Sequence, residues 1–168
     1  MVNTLSAHQM LRTAGHRDYP GLNLELMDIR TITPGYCVAP QIAPADMQDI
    51  VAAGFSTIIC NRPDEEVPPS HQAEVMEAAA KSVGLAFVRL PLTHQTLTPQ
   101  NVRLQADHVA GSMGPVLAYC ASGTRSTIVW ALGQAGAMPV EDILAAARTG
   151  GYDLENMRGT LQAIASAT

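Results

Sequence analysis

Apolar positions along the chain change their spacing several times, and each change marks the edge of an element. Residues 56–60 (Ser-Thr-Ile-Ile-Cys) form a brief β-branched run, and 85–92 and 115–119 are similarly short and apolar. Runs of this length bounded by turn residues predict buried strands. Between them the spacing lengthens to the helical repeat: 44–53 opens on Pro44 and stops at Gly54, 71–83 is alanine-rich and stops at Gly84, and 99–112 opens on Pro99. Proline suits a first helical position because the N–H it lacks has no intrahelical partner there, and glycine suits the position past the end. Three further helices are expected after residue 120: one to about 135, then 140–148 and 153–165. A short extended piece is expected around Tyr36, Cys37 and Val38.

Strands alternating with helices imply parallel β-α units and hence an α/β fold with a mainly parallel central sheet. Sites in such sheets form beyond the carboxyl ends of the strands. That rule gathers three loops at one edge, 61–69, 93–98 and 120–126. The uncharged stretch 127–140 is too short for a membrane span, which needs about 18 apolar residues, and it contains Gln134, so it predicts a helix buried behind the sheet.

The third loop carries the strongest chemical signal. Cys120, Ala121, Ser122, Gly123, Thr124 and Arg125 join an apolar strand to a helix start at Ser126. Such a turn aims backbone N–H groups inward, and the helix N-terminus adds roughly half a positive charge, so the loop predicts an anion-binding nest. Arg125 adds a planar fork of donors. A thiol held there should ionise more readily than at the ordinary value of about 8.5. Cys120 is therefore the expected nucleophile, although a cysteine ending an apolar strand is often only a core residue. Arg62 is expected as a second guanidinium beside the nest. Asp64 and His94 are candidate acids, weighed against a turn residue and a plain loop residue. Cys60 and Cys120 both end strands expected to open onto the site, so neighbouring strands could bring them within the roughly 4.4–6.8 Å Cα range of a reversible disulfide. The plainer reading of Cys60 is a core thiol.

Composition narrows the setting. The 168 residues fit one domain at 47% hydrophobic and 15% charged, and a net charge of −5 argues against a nucleic-acid partner. Residues 1–26 lack periodicity and read as an extension ahead of a domain over 27–168, with Met27 a candidate natural start. No signal peptide or membrane segment is evident, and three cysteines of odd count suit a reducing, cytoplasmic location better than a disulfide framework. The five histidines show no metal-ligand spacing, so neither metal nor other cofactor is expected.

Several motifs together resemble a known family. Asp28-Ile29-Arg30-Thr31-Ile32-Thr33-Pro34, Ala53-Gly54-Phe55 leading to Asn61-Arg62-Pro63-Asp64, Tyr119-Cys120 with Ser122-Gly123-Thr124-Arg125-Ser126, and Gly151-Tyr152-Asp153-Leu154 are similar to the small cysteine-dependent phosphatase-like family that also occurs fused to beta-lactamase-fold persulfide dioxygenases. The resemblance spans 27 to about 165. It implies a three-layer α/β/α domain like that of dual-specificity phosphatases.

Two departures bear on the reaction. Those phosphatases place five residues between cysteine and arginine, usually with histidine before the cysteine; here four separate Cys120 from Arg125, and Tyr119 precedes. They also carry an aspartate acid in the loop where this chain reads Thr93-His94-Gln95-Thr96. Losing a positioned acid forfeits roughly 10²–10⁴ in rate for a leaving alkoxide. A Cys-x4-Arg loop is the length that rhodanese-type sulfurtransferases use, and sulfur transfer through a Cys120 persulfide needs no such acid. The sequence therefore favours a sulfurtransferase taking a small sulfur-containing or anionic substrate and passing sulfur to a thiol acceptor. The alternatives are a phosphatase working through a cysteinyl-phosphate and a non-catalytic module that binds an oxyanion or a phosphorylated partner.

Overall fold

The computed structural model describes residues 27–168; the expected extension over 1–26 lies outside the described residues. Five strands form one sheet in the order β1-β2-β5-β3-β4, with β1 at Arg30–Thr33, β2 at Tyr36–Ala39, β3 at Thr57–Cys60, β4 at Ala86–Arg89 and β5 at Val116–Tyr119. All neighbouring pairs are parallel except β1 with β2, which form an antiparallel hairpin across Pro34 and Gly35. Sequence spacing did not separate β1, because among its four residues only Ile32 is buried.

The central strand explains the apolar run at 116–119. Val116, Leu117, Ala118 and Tyr119 are all completely buried, since helices cover both sheet faces. Val116 and Ala118 enter one core with Ile59, Val129, Trp130, Ile143, Leu144 and Leu161, while Leu117 and Tyr119 enter another with Ile58, Cys60, Met47, Ile50, Met76 and Ala80. The first core is roofed by α3 (Pro99–Ala110), α4 (Thr124–Gln134), α5 (Val140–Thr149) and α6 (Arg158–Ser166), the second by α1 (Met47–Ala52) and α2 (Ala73–Ser82). This is the mixed α/β, three-layer arrangement expected.

Element ends differ from expectation for local reasons. The 44–53, 71–83 and 153–165 helices each start later, behind 3-10 turns at Pro44–Asp46, Pro69–His71 and Glu155–Met157. The expected strand 85–92 shortens to Ala86–Arg89: Leu90 and Leu92 still donate to Cys60 and Asn61 carbonyls at 2.9 Å, but Pro91 between them has no N–H to extend the ladder. The uncharged stretch forms α4, where Ser126, Thr127, Val129, Trp130 and Ala131 are buried and Trp130 stacks on Tyr36 at 6.2 Å. Among the described residues no helix is long and apolar enough to cross a membrane.

Candidate active site

β5 ends at Tyr119, and the next residue, Cys120, is fully buried at the carboxyl edge of the sheet. The chain turns back through Gly123, the N-cap of α4, at φ +89°, a left-handed conformation that glycine takes without a Cβ penalty. Gly123 is also required by contact: a Cβ there would lie 2.1 Å from the Tyr152 hydroxyl, which donates to Ser122 O at 3.0 Å. The turn brings Gly123 N within 3.1 Å of Cys120 Sγ, so a backbone N–H points at the sulfur. Thr124 N donates to Ser122 Oγ at 3.4 Å, whereas the amides of Ala121, Ser122, Arg125 and Ser126 have no protein acceptor among the described residues. Amides without a protein partner at a helix start are open to an acceptor from outside the chain, the requirement of an anion nest.

Arg125 follows on the first turn of α4 and reaches across the edge to two other loops. Its Nη1 donates to Glu66 Oε2 at 2.7 Å and to Leu92 O at 2.9 Å, and its Nη2 donates to Glu66 Oε1 at 2.6 Å. Arg62 stands on the other side of Glu66: Nη2 donates to Glu66 O at 3.1 Å, Nε lies 3.4 Å from Glu66 Oε1, and Nη1 donates to Gln41 Oε1 at 3.2 Å. Hydrogen bonding from Arg125 holds the Glu66 carboxyl below its usual range, with Arg125 and Arg62 charges adding to the effect. Two of the three loops expected at one edge meet there, and Leu92, just ahead of the third, contributes its carbonyl. Glu66, a residue of the 61–69 loop for which no role was expected, joins the two arginines.

Other expectations are redirected. Ser126 is buried, and its hydroxyl donates to Asn61 Oδ1 at 2.9 Å, so its single proton is engaged there and not on Cys120. That bond belongs to a buried network in which Gln105 Nε2 donates to Tyr36 Oη at 3.1 Å and Tyr36 donates to Ser126 O at 2.7 Å, fixing the start of α4 from below. Asp64 Oδ1 accepts from Ala73 N at 2.7 Å, the first amide of α2, and lines a 150 Å³ cavity with Cys60, Arg62 and Arg89. Its observed work is helix capping. His94 is exposed in a turn closed by Thr93 N donating to Thr96 Oγ1 at 2.8 Å.

Cys60 is a buried core thiol, the plainer of its two readings. β3 and β5 are neighbours, but their register sets Cys60 opposite Tyr119, not opposite Cys120. Cys60 shares the core cluster of Tyr119, and that cluster does not include Cys120. Cys60 Sγ instead donates to Arg62 O at 3.4 Å, and burial raises its pKa. Its thiol lies beside the Tyr119 hydroxyl, which is wholly buried and makes no well-formed hydrogen bond among the described residues. Removing an unsatisfied buried hydroxyl is neutral or stabilising. Tyr119→Phe is therefore expected to change unfolding free energy by between 0 and about +1 kcal/mol in denaturant titration; a loss beyond about 1 kcal/mol would mean that the hydroxyl is satisfied.

Known proteins resemble the chain in sequence and in fold. Residues 28–137 match the family described as beta-lactamase hydrolase-like protein, phosphatase-like domain. A beta-lactamase hydrolase-like protein of Agrobacterium fabrum is 34% identical over 119 residues, which is 70% of this chain and 28% of that longer protein. A phosphatase candidate of Neisseria meningitidis Z2491 superposes with a TM-score of 0.72 at 31% identity, covering 82% of this chain and 99% of its own. TpbA of P. aeruginosa, solved as a Cys-to-Ser variant with phosphotyrosine, shares the fold alone, at a TM-score of 0.59 and 13% identity, over 84% of this chain and 90% of that one. With its cysteine-phosphatase-like sheet and a thiol cradled at the start of α4, the chain belongs to the phosphatase-like domain family of beta-lactamase hydrolase-like proteins.

Proposed function

We propose that this chain is a thiol-dependent phosphatase that acts on phosphate monoesters with acidic leaving groups. The observation that carries this reading is the loop itself: the Gly123 amide donates to Cys120 Sγ, the neighbouring amides of Ala121, Ser122, Arg125 and Ser126 have no acceptor among the described residues, and Arg125 lies beside the thiol. Those donors suit the equatorial oxygens of a phosphoryl group, which gain charge as the transition state forms. The Cys120 thiolate attacks phosphorus, an S–P bond forms, and the P–O bond to the leaving group breaks with its electron pair departing on oxygen. Water then attacks phosphorus, the S–P bond breaks, and inorganic phosphate leaves as the thiolate returns. The fold shared with phosphatases and the 31% identity to the Neisseria protein support this reading over sulfur transfer.

The leaving group is specified by what the site lacks. The turn at 93–98 offers His94 and no carboxylate, Asp64 is engaged by the Ala73 amide, and Glu66 is held ionised by arginine. An aryl oxide leaves without a strong proton donor, whereas an alkoxide does not. Aryl phosphates are expected to turn over at least about 10²-fold faster than alkyl phosphates, measured as kcat/KM. Equal rates would mean that an acid serves the site.

The short Cys-x4-Arg loop and the missing acid favour one second reading, sulfur transfer. There the thiolate attacks a sulfane sulfur, a new S–S bond forms as the donor's breaks, and an acceptor thiolate later removes the outer sulfur. Intact mass spectrometry after quenching with an aryl phosphate, thiosulfate or glutathione persulfide separates the two. A phosphoryl increment on Cys120 is expected; a sulfur increment with no phosphorylation would reverse the order. Three free, buried cysteines support work in a reducing, cytoplasmic compartment.

A further inference from the structure

Glu66 sits in a loop of turns and exposed side chains, yet its carboxylate is gripped from two directions. A guanidinium carries five N–H donors in one rigid plane. In Arg125 both Nη1 hydrogens are engaged, by Glu66 Oε2 and Leu92 O, and one Nη2 hydrogen is engaged by Glu66 Oε1. The remaining two, on Nε and Nη2, project along a single edge, the spacing that matches two oxygens of one anion. Arg125 also lies beside the Cys120 thiol. Arg62, expected to contact substrate, has its Nη1 on Gln41, its Nη2 on the Glu66 carbonyl and its Nε beside Glu66 Oε1, and so it backs Glu66.

We propose that Glu66 is a positioning residue: it clamps the terminal edge of Arg125 so that the Nε–Nη2 edge stays presented to an oxyanion over Cys120, and Arg62 with Gln41 holds the clamp in place. The proposal rests on reading the loop as an oxyanion cradle, and it holds for phosphoryl and sulfane substrates alike. Two rival roles conflict with the geometry. As a stand-in for substrate, Glu66 would cover the side edge; it covers the terminal edge. As a proton donor, Glu66 would need to be neutral, and two arginines keep it charged.

The test compares wild type, Glu66→Gln and Glu66→Asp with probes that need no turnover. Tungstate affinity is measured by calorimetry, and Cys120 alkylation is timed with anionic iodoacetate and neutral iodoacetamide. For Glu66→Gln, tungstate should bind about 10- to 100-fold more weakly, the worth of one or two charge-assisted hydrogen bonds. The rate ratio of iodoacetate to iodoacetamide should fall with it, while the iodoacetamide rate and the melting temperature hold. Glu66→Asp keeps the charge and should recover part of both losses. Unchanged tungstate affinity in Glu66→Gln would overturn the proposal, as would parallel slowing of both alkylations. Tighter tungstate binding would overturn it too, making Glu66 a competitor of the anion. If wild type binds tungstate but hydrolyses no phosphate ester, the phosphatase reading fails while the clamp still stands or falls on these ratios.

Discussion

Cys120→Ser is expected to lower turnover by at least about 10³-fold on every substrate the protein accepts, because a hydroxyl in this cradle has no base to activate it. Both reactions considered above form their covalent bond at Cys120 Sγ, so the loss should not depend on which of them operates. The fold should survive. Serine is close to isosteric, its Oγ can accept the Gly123 N–H now directed at sulfur, and neither core cluster includes the Cys120 side chain. Unfolding free energy should move by no more than about 1 kcal/mol. Two measurements check this, steady-state turnover and covalent labelling followed by mass spectrometry. Turnover within about 10-fold of wild type would remove Cys120 from the chemistry, since nucleophile deletions cost far more.

The sheet and the turn after β5 were legible because both follow from local rules. β3 and β5 are apolar on consecutive positions, which only a strand covered on both faces requires, and Gly123 between small polar residues and an arginine marks a tight turn feeding a helix. β1 was not legible, since one buried residue in four carries no period. Strand register was not legible either: knowing that β3 and β5 are neighbours does not say which residues face each other, and the observed pairing sets Cys60 opposite Tyr119.

The site was legible in its nucleophile and less so in its supports. Glu66 carries no local signal that separates it from Asp64 and Glu65, the two acids before it. What distinguishes them is direction. Asp64 meets the first amide of α2, and Glu66 meets a guanidinium that arrives from 59 residues further along the chain. Ser126 illustrates the reverse case: it stands in the loop expected to bind the anion, and its hydroxyl donates instead to Asn61, the buried residue that follows β3. Such side-chain choices depend on contacts between distant segments, which no spacing rule encodes.

Gly123→Ala should be the most damaging alanine substitution among the described glycines, because two independent penalties fall on it. The first is conformational: φ of +89° is left-handed backbone, which costs an L-residue with a Cβ about 1–2 kcal/mol. The second is steric, since the new Cβ would lie 2.1 Å from the Tyr152 hydroxyl and 3.0 Å from its ring carbon Cζ. Tyr152 has little room to retreat, being 9% exposed, with the Arg30 guanidinium 5.5 Å from its ring centroid. Moving it breaks its bond to Ser122 O, worth about 1 kcal/mol. Together these predict a destabilisation of about 2–4 kcal/mol, readable as a shift in denaturant midpoint. Activity should fall further than stability accounts for, because relaxing the turn carries the Gly123 N–H away from Cys120 Sγ and disperses the amides of the nest. Pairing the change with Tyr152→Phe separates the penalties: the double variant loses the hydroxyl that the methyl strikes and should regain about 1 kcal/mol while activity stays low. A Gly123→Ala protein that unfolds and turns over like wild type would show that neither the left-handed turn nor the Tyr152 contact shapes the cradle.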